Sequence, residues 1–408
     1  MKVLLVNKFH YRKGGSETYY FTLAQALRAR GHQVIFFAMK DEEKNLPCDQ
    51  ERYFVSNASV SGGIKSKLNM VLHLTYSKEA YRKMKDLLAA EQPDLVILNL
   101  VHKQITLSIL DAIREQDATL PVIWTMHDLI AVCPAYTMQD GAGQICEKCL
   151  GGDFSHCVKR KCIKGSTAMS ILSRYEAEYI RKRKWYDQVD LYICPSEFYR
   201  KKLTQGGFTR SPIVTLRNPL PLDAVYDQSE VGSYVLYFGR LSPEKGVDTL
   251  IRAAKEAGFP LEILGTGPQA QELKELAAGC ENITFRGFQT GQALTDYIRG
   301  ARCVVLPSQW YENGPYSAME AMALGKPLVV SGMGGLPELV EDGVNGYIYG
   351  KTDGELAAAI GKLLALSEEE CQKMGAASLE RAKALFDPNA YVDWLEGWYR
   401  NAKENYNG

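Results

Sequence analysis

Residues 303–325 read CVVLPSQWYENGPYSAMEAMALG. Cys303–Leu306 is an uninterrupted apolar run, the pattern of a strand buried on both faces of a parallel sheet. Pro307 ends it. Met319–Leu324 reads as helix, stopped by Gly325. Between them a Gly314-Pro315 turn leads into Tyr316, with Glu312 in the loop and Glu320 eight positions later in the helix. A strand, a loop and a helix start is where an open α/β sheet takes its ligands. The first backbone N–H groups of such a helix have no intrahelical partner and can meet an anion or a hydroxyl. Each carboxylate can accept bonds from a pair of neighbouring hydroxyls.

Working outward, the same alternation recurs on both sides. Apolar runs at residues 3–6, 34–38, 95–98, 122–124 and 191–194 predict five strands in the first half. Runs at 234–238, 261–264, 283–285, 303–306 and 328–330 predict five in the second. Helical patterns separate them. In the first helix Tyr20, Leu23, Ala24 and Leu27 recur at helical spacing, with Ser16 expected as its cap and Gly31 as its stop. Alternating strand and helix implies parallel sheets covered on both faces. The expected class is therefore α/β, with two Rossmann-like domains facing each other across a cleft. The proline-containing stretch Arg217-Asn-Pro-Leu-Pro-Leu-Asp223 sets the division: residues 1–217, then 218–388. Residues 389–408 form a last helix whose Tyr391, Trp394 and Trp398 need a surface to cover, expected on the first domain.

The 408 residues carry 48 basic and 48 acidic side chains, but unevenly. Through Arg217 there are 32 Lys and Arg against 22 Asp and Glu; from Asn218 there are 16 against 26. A basic first half suits an anionic polymer or surface. Lys159-Arg-Lys161 with Lys164, and Arg181-Lys-Arg-Lys184 followed by Trp185-Tyr186, concentrate that charge. A tryptophan beside a basic run suits a membrane interface. No apolar run reaches the roughly 20 residues of a membrane helix, and none near the first strand resembles a signal peptide. The expected location is the cytoplasm, the basic runs being either a peripheral contact with the inner face of the cell membrane or a solvated helix face.

Four further segments carry chemistry. Gly14-Gly15 lies between the first strand and first helix, where glycine lets backbone N–H groups approach a phosphate. Phe238-Gly239-Arg240-Leu-Ser-Pro-Glu-Lys245-Gly246 follows the first strand of the second half. Its Arg240 offers a planar fork and Lys245 a point charge, a pairing that suits a diphosphate leaving a sugar carbon. Thr125-Met-His127-Asp128 closes the fourth strand, placing an imidazole where a sugar hydroxyl could be met. Gly332-Met-Gly-Gly-Leu-Pro-Glu338 is another glycine-rich turn, with Glu338 more plausibly structural.

Four of the ten cysteines fall in Cys146-Glu-Lys-Cys149, Cys157 and Cys162, inside an insertion at about residues 133–165. Cys-x2-Cys with two more nearby suits tetrahedral zinc, Cys133 or His156 being able to replace one ligand. A structural zinc is one expectation here; reduced thiols and an oxidation-formed disulfide are the others.

Together these segments resemble the retaining glycosyltransferases of family 4, which have the GT-B fold, over nearly the whole chain. The acidic pair Glu312 and Glu320, Gly239-Arg240-Leu241 with Glu244-Lys245-Gly246, and the early Gly14-Gly15 carry the likeness. The resemblance implies that Glu312 holds the donor sugar through its hydroxyls and Glu320 the ribose. Arg240 and Lys245 would bind the diphosphate, Gly14-Gly15 would approach it, and His127 would contact the sugar near the reacting carbon. The implied donor is a nucleotide-diphospho-sugar, with no catalytic metal. The implied acceptor is a glycan or lipid-linked glycan held by the N-terminal domain, nucleic acid not being expected. The family often has an aromatic two places after the first Glu, where this chain has Gly314. Its linker reads Asn218-Pro219 rather than Asn-Gly. Two other readings are a nucleotide-sugar epimerase of the same architecture and a non-catalytic nucleic-acid- or glycan-binding protein with a Cys-rich module.

Overall fold

The computed structural model describes residues 1–57, 75–350 and 352–407, with side chains to residue 404. By backbone contacts the chain divides into one unit of residues 1–222 with 388–408, and a second of residues 223–387.

In the first unit the strands are β1 (Lys2–Val6), β2 (Gln33–Phe37), β3 (Leu95–Leu98), β4 (Val122–Thr125), β5 (Leu191–Cys194) and β6 (Ile213–Thr215). They form a parallel sheet in the order β2-β1-β3-β4-β5-β6. Among the described residues the helices are α1 (Gly15–Ala29), α2 (Lys78–Glu91), α3 (Ser108–Gln116), α4 (Ser155–Lys159), α5 (Thr167–Lys182) and α6 (Glu197–Gln205). Val3–Val6, Leu95–Leu98 and Val122–Ile123 are wholly buried. This is the expected signature of strands covered on both faces, and each such side chain contributes about 1.5–3 kcal/mol of burial.

The ends of α1 show how local sequence sets an element. Gly31, at φ 82°, takes the left-handed turn after the helix. His32 N–H then bonds Leu27 O, and Gly31 N–H bonds Arg28 O, closing the orphan carbonyls. The start differs from expectation. The helix begins at Gly15 with Gly14 as an extended cap lacking a side-chain bond. Ser16 lies inside the first turn, and its hydroxyl donates to Glu17 Oε1 at 3.1 Å rather than to a backbone N–H.

In the second unit β7 (Tyr234–Phe238), β8 (Leu261–Leu264), β9 (Ile283–Gly287), β10 (Ala301–Leu306), β11 (Leu328–Ser331) and β12 (Gly346–Tyr349) form a parallel sheet in the order β12-β11-β10-β7-β8-β9. Its helices are α7 (Val247–Ala257), α8 (Ala270–Leu276), α9 (Gly291–Gly300), α10 (Tyr316–Ala323), α11 (Asp353–Leu364) and α12 (Glu368–Phe386). Thr352 with Glu355, and Ser367 with Glu370, form reciprocal capping boxes at α11 and α12. The core gathers Val235, Leu250, Ile251, Ile263, Val305 and Val329 between the layers.

The final helix α13 (Pro388–Asn407) belongs to the first unit and packs on α1. Tyr391 OH meets Tyr19 OH at 2.6 Å, and Glu396 reaches His32 at 2.9 Å. Both sheets reverse their strand order internally, between β1 and β3 in one and between β7 and β10 in the other. Those reversals are the places where such sheets form ligand crevices at the carboxyl ends of their strands.

Candidate functional site

In the second unit, the loop after β7 and the loop after β10 flank the reversal point. The β7 loop runs through Gly239, Arg240 and a short 3-10 turn at Pro243–Lys245. Gly246, at φ 65°, ends that turn; a Cβ there would sit 2.1 Å from Pro307 O. Only glycine therefore lets the two loops approach this closely. Gln309 N–H bonds Glu244 O at 2.9 Å across the gap.

That approach delivers Lys245 to Glu312. Its Nζ lies 2.7 Å from Glu312 Oε1, and Ser308 Oγ donates to the same oxygen at 2.6 Å. Lys245 also stands 5.2 Å from the centroid of the Trp310 ring. Glu312 is only 5% exposed. Burial alone would raise its carboxyl, but the Lys245 ammonium and the Ser308 hydroxyl outweigh it and hold it below its ordinary value. The backbone of Glu312 is fixed by the glycine-rich turn after β11. Gly335 N–H bonds Glu312 O at 2.7 Å. Gly334, at φ 65°, would place a Cβ 2.4 Å from Glu312 N.

Gly314, at φ 96°, turns the chain into α10, with Pro315 as its cap and Tyr316 its first residue. Glu320 follows within that helix, half-buried. Burial without a compensating cation pushes its carboxyl up to about 7. No ion pair reaches Glu320 or Arg240 among the described residues, and Arg240 is exposed. On the other side of β7, Gly239 packs against Gly265, where a Cβ would meet Gly239 O at 1.8 Å. The structure thus brings Lys245, Glu312 and the Gly334 turn into contact, and sets Arg240 and Glu320 in the two loop-to-helix segments that flank them. Ser308 and Gly265 carry geometry that the sequence reading passed over. The only signal for them was their place directly after strands.

In the first unit His127 follows β4. Its Nε2 lies 3.0 Å from Asn99 Oδ1, and the Asn99 amide is oriented by its Nδ2 donating to Val6 O. Because Oδ1 only accepts, Nε2 carries the hydrogen and Nδ1 keeps a lone pair. Burial lowers this imidazole to about 3, so it is neutral. Its ring packs edge-on to Tyr19, centroids 4.9 Å apart, and Tyr19 also bonds Thr125 Oγ1 at 3.0 Å. Near Gly14 and Gly15, the carboxylate of Glu17 is buried and bonded to Asn7 Nδ2 at 3.1 Å. Gly14 itself is extended, and a Cβ there would meet nothing closer than 3.8 Å. The backbone does not require glycine at that position.

One expectation is corrected and another finds no support. Trp185 is fully buried, its indole donating to Asp111 Oδ1 at 2.8 Å, while Arg183 pairs with the same carboxylate. It is a core residue and cannot anchor a membrane interface. Cys146, Cys149, Cys157 and Cys162 are free thiols. Among the described residues no three His, Cys, Asp or Glu side chains are grouped to hold a metal ion. Burial raises the thiols of Cys149 and Cys157 to about 12, the neighbouring cysteines adding to it, and Cys157 hydrogen-bonds Cys162 and Ser170. No zinc site is assigned. Among the described residues no helix is long and apolar enough to cross a membrane.

Comparison with known proteins agrees with this architecture. The chain is 35% identical over 176 residues to an alpha-D-kanosaminyltransferase of Streptomyces kanamyceticus, covering 41% of this chain and 45% of that protein. It is 32% identical over 243 residues to the amylovoran biosynthesis glycosyltransferase AmsK of Erwinia amylovora, covering 55% and 58%. The matches to these and similar curated relatives span 35% to 58% of the relatives' lengths. Among solved structures, a sucrose-phosphate synthase from Thermosynechococcus elongatus superposes with a TM-score of 0.71 at 20% identity, covering 99% of both chains. Anabaena HepE in complex with UDP gives 0.66 at 19%, covering 97% of this chain and 100% of that one. These likenesses establish the GT-B fold. The family model described as Glycosyl transferases group 1 matches residues 224–381. The model described as Glycosyltransferase Family 4 matches residues 13–224, just over half of the sequence, and the chain belongs to that family.

Proposed function

We propose that this protein is a retaining glycosyltransferase that moves a hexosyl-type sugar from a nucleotide-diphospho-sugar to a hydroxyl acceptor, in cell-surface polysaccharide or glycolipid synthesis. The observation that carries this reading is the Lys245–Glu312 pair at the reversal point of the second sheet. Lys245 has three donors. One is committed to Glu312, which leaves two for phosphate oxygens. Arg240, exposed and without an ion pair, supplies a second cation in the same loop. Charge builds on the diphosphate as it leaves the anomeric carbon, and fixed cations placed there favour the transition state over the ground state. Glu312, held ionised, accepts from the sugar hydroxyls; Glu320 accepts from the ribose.

Retention follows from same-face displacement, with no protein carboxylate assigned as a covalent nucleophile. His127, neutral with a lone pair on Nδ1, accepts from a hydroxyl of the transferred sugar. A uridine donor is supported by the UDP and UDP-glucose complexes of HepE. A polysaccharide setting is supported by the name of AmsK. The basic balance of residues 1–217 supports an acceptor or surface of negative charge, and the reading places the protein in the cytoplasm.

The test is a thermal-shift screen against nucleoside diphosphates and their sugars, followed by turnover with the best donor. Stabilisation by one diphosphate and its sugar, lost in Arg240→Ala, supports the assignment. No stabilisation by any member of the panel refutes it.

A further inference from the structure

The loops after β1 and β3 meet at the reversal point of the first sheet, where a cavity of about 220 Å³ opens. Lys8 and Phe9 line it from the first loop, His102 and Lys103 from the second, and Asp128 and Tyr136 from the segment after β4. All belong to the first unit, whereas Arg240, Lys245, Glu312 and Glu320 belong to the second. The cavity is smaller than the roughly 300–1,000 Å³ of a drug-sized ligand. It suits one sugar residue or one phosphate-bearing headgroup.

Its charge is unusual. Lys8 and Lys103 both bring ammonium groups to it, and among the described residues neither is ion-paired. Burial lowers Lys8 to about 8, and repulsion from Lys13 and Lys103 adds to this, with Glu17 and Glu176 opposing. Two like charges around a cavity are unfavourable unless a counter-charge occupies it. The nearby acids supply part of that counter-charge, Asp128 staying largely ionised at neutral pH and Glu176 only in part. Burial pushes Asp128 up to about 6 and Glu176 up to about 7, towards their neutral forms. Asp128 accepts from Ile130 N–H at 3.0 Å, while Glu176, on α5, accepts from the backbone N–H of Lys103. His102 is neutral, lowered to about 3 by burial, and lies 3.1 Å from Tyr186 OH.

The backbone adds a second, independent observation. Lys103 has φ 75° and Tyr136 φ 56°. Non-glycine residues adopt this left-handed conformation at a cost, and it persists where surroundings hold it, commonly at ligand clamps. Here the bond to Glu176 helps hold Lys103, and its Nζ stands 5.8 Å from the Tyr136 ring centroid. Two strained residues therefore aim a cation and an aromatic at one cavity.

We infer that this cavity seats the anionic group of a sugar-sized acceptor, a phosphate monoester or a carboxylate, with Lys8 and Lys103 as its charge partners and Asp128 accepting one of its hydroxyls. The word acceptor rests on the glycosyltransferase reading; the anion site itself stands on the cavity alone.

Binding is measured by calorimetry with glucose 6-phosphate, glucuronate and glucose on the full chain, with UDP as a separate titration. A lipid-borne source is tested by sedimentation with vesicles of phosphatidylcholine alone or with phosphatidic acid. At least one anionic probe is expected to bind tenfold or more tighter than its neutral counterpart. Lys8→Gln and Lys103→Gln should each lose tenfold or more of that affinity, and Lys103→Arg should retain most of it. Preference for glucose 6-phosphate or glucuronate identifies a soluble anionic sugar; preference for phosphatidic acid identifies a lipid-borne phosphate. Equal binding of neutral and anionic probes, glutamine variants that match wild type, or no binding of any probe overturns the inference. UDP binding retained in the variants shows that they fold. Failure of UDP to bind wild type would instead refute the donor-site reading, leaving the anion test to be judged on its own.

Discussion

Removing the Lys245 side chain isolates the contact on which the proposed donor site is built. Glu312 has a 6% exposed side chain and Lys245 a 21% exposed one, their charged atoms 2.7 Å apart. Deleting one partner of a buried pair typically costs 3–5 kcal/mol because the other charge is left uncompensated. The exposure of Lys245 and the Ser308 hydrogen bond both soften this, so Lys245→Ala should cost about 2 kcal/mol at pH 7.5. In a unit of this size that lowers the unfolding midpoint by roughly 4–8 °C. The pH dependence gives the sign. In wild type Glu312 is held below its ordinary value, so its stabilising contribution is present above the unfolded carboxylate pKa and is lost as pH falls through the folded one. In the variant only the Ser308 and Trp310 hydrogen bonds oppose burial, so the carboxyl lies higher than in wild type and takes up a proton sooner as pH falls. The deficit should therefore be largest at pH 7.5 and smaller at pH 5. Thermal unfolding followed by circular dichroism at both pH values, with and without UDP, reads all of this. Losing one charge-assisted hydrogen bond should also weaken UDP by about 10- to 100-fold. A midpoint change under 1 °C at both pH values, with UDP affinity unchanged, would refute the claim that this pair organises the site.

Glu312→Ala should lower turnover at least 100-fold while leaving the far-ultraviolet circular dichroism intact, and unchanged turnover removes Glu312 from the donor site. If Glu320 holds the ribose as proposed, its ionised form is the one that accepts the hydroxyls, so donor binding favours deprotonation and affinity should climb from pH 6 to pH 8 around the value of about 7. Glu320→Gln should flatten that part of the slope in calorimetric titrations; a slope identical to wild type contradicts the role. Gly334→Ala forces a Cβ to within 2.4 Å of Glu312 N at φ 65°. It should lower both the unfolding midpoint and donor affinity, and a variant equal to wild type in both would show that the Gly334 turn does not position Glu312.

Ten of the twelve strands were legible as apolar runs, the eight interior ones because they are covered on both faces, a pattern that survives without tertiary knowledge. Two of the four edge strands, β6 and β12, were missed for the opposite reason. Ile213–Thr215 is three half-buried residues, and Gly346–Tyr349 opens on glycine and is partly exposed. Glu312, Glu320, Arg240 and Lys245 were singled out from their places in the loops and helix that follow strands. What the sequence could not disclose is which glycine is needed by what neighbour. Gly246 and Gly334 were read as parts of phosphate-facing turns, yet what requires each is the backbone of another loop, Pro307 for one and Glu312 for the other. Trp185 misled for a related reason. A basic run beside an aromatic looks like an interface until Asp111, 74 residues earlier, is seen to hold the indole.

The acidic pair shows how one side-chain type serves two tasks. Glu312 is the more deeply buried, and burial favours the neutral acid in both, yet only Glu320 is raised. The difference is Lys245 and Ser308, which reach Glu312 and not Glu320. Glu312 therefore carries its charge before any ligand arrives, and in doing so fixes the cation that a diphosphate would meet. Glu320 has no such partner, so its ionised form becomes favourable when hydroxyl donors approach. A site built this way is preorganised where charge must be stabilised and adaptable where a neutral diol is only held. Exchanging the two environments, by moving the cation from Lys245 to a position beside Glu320, should weaken the diphosphate more than the ribose.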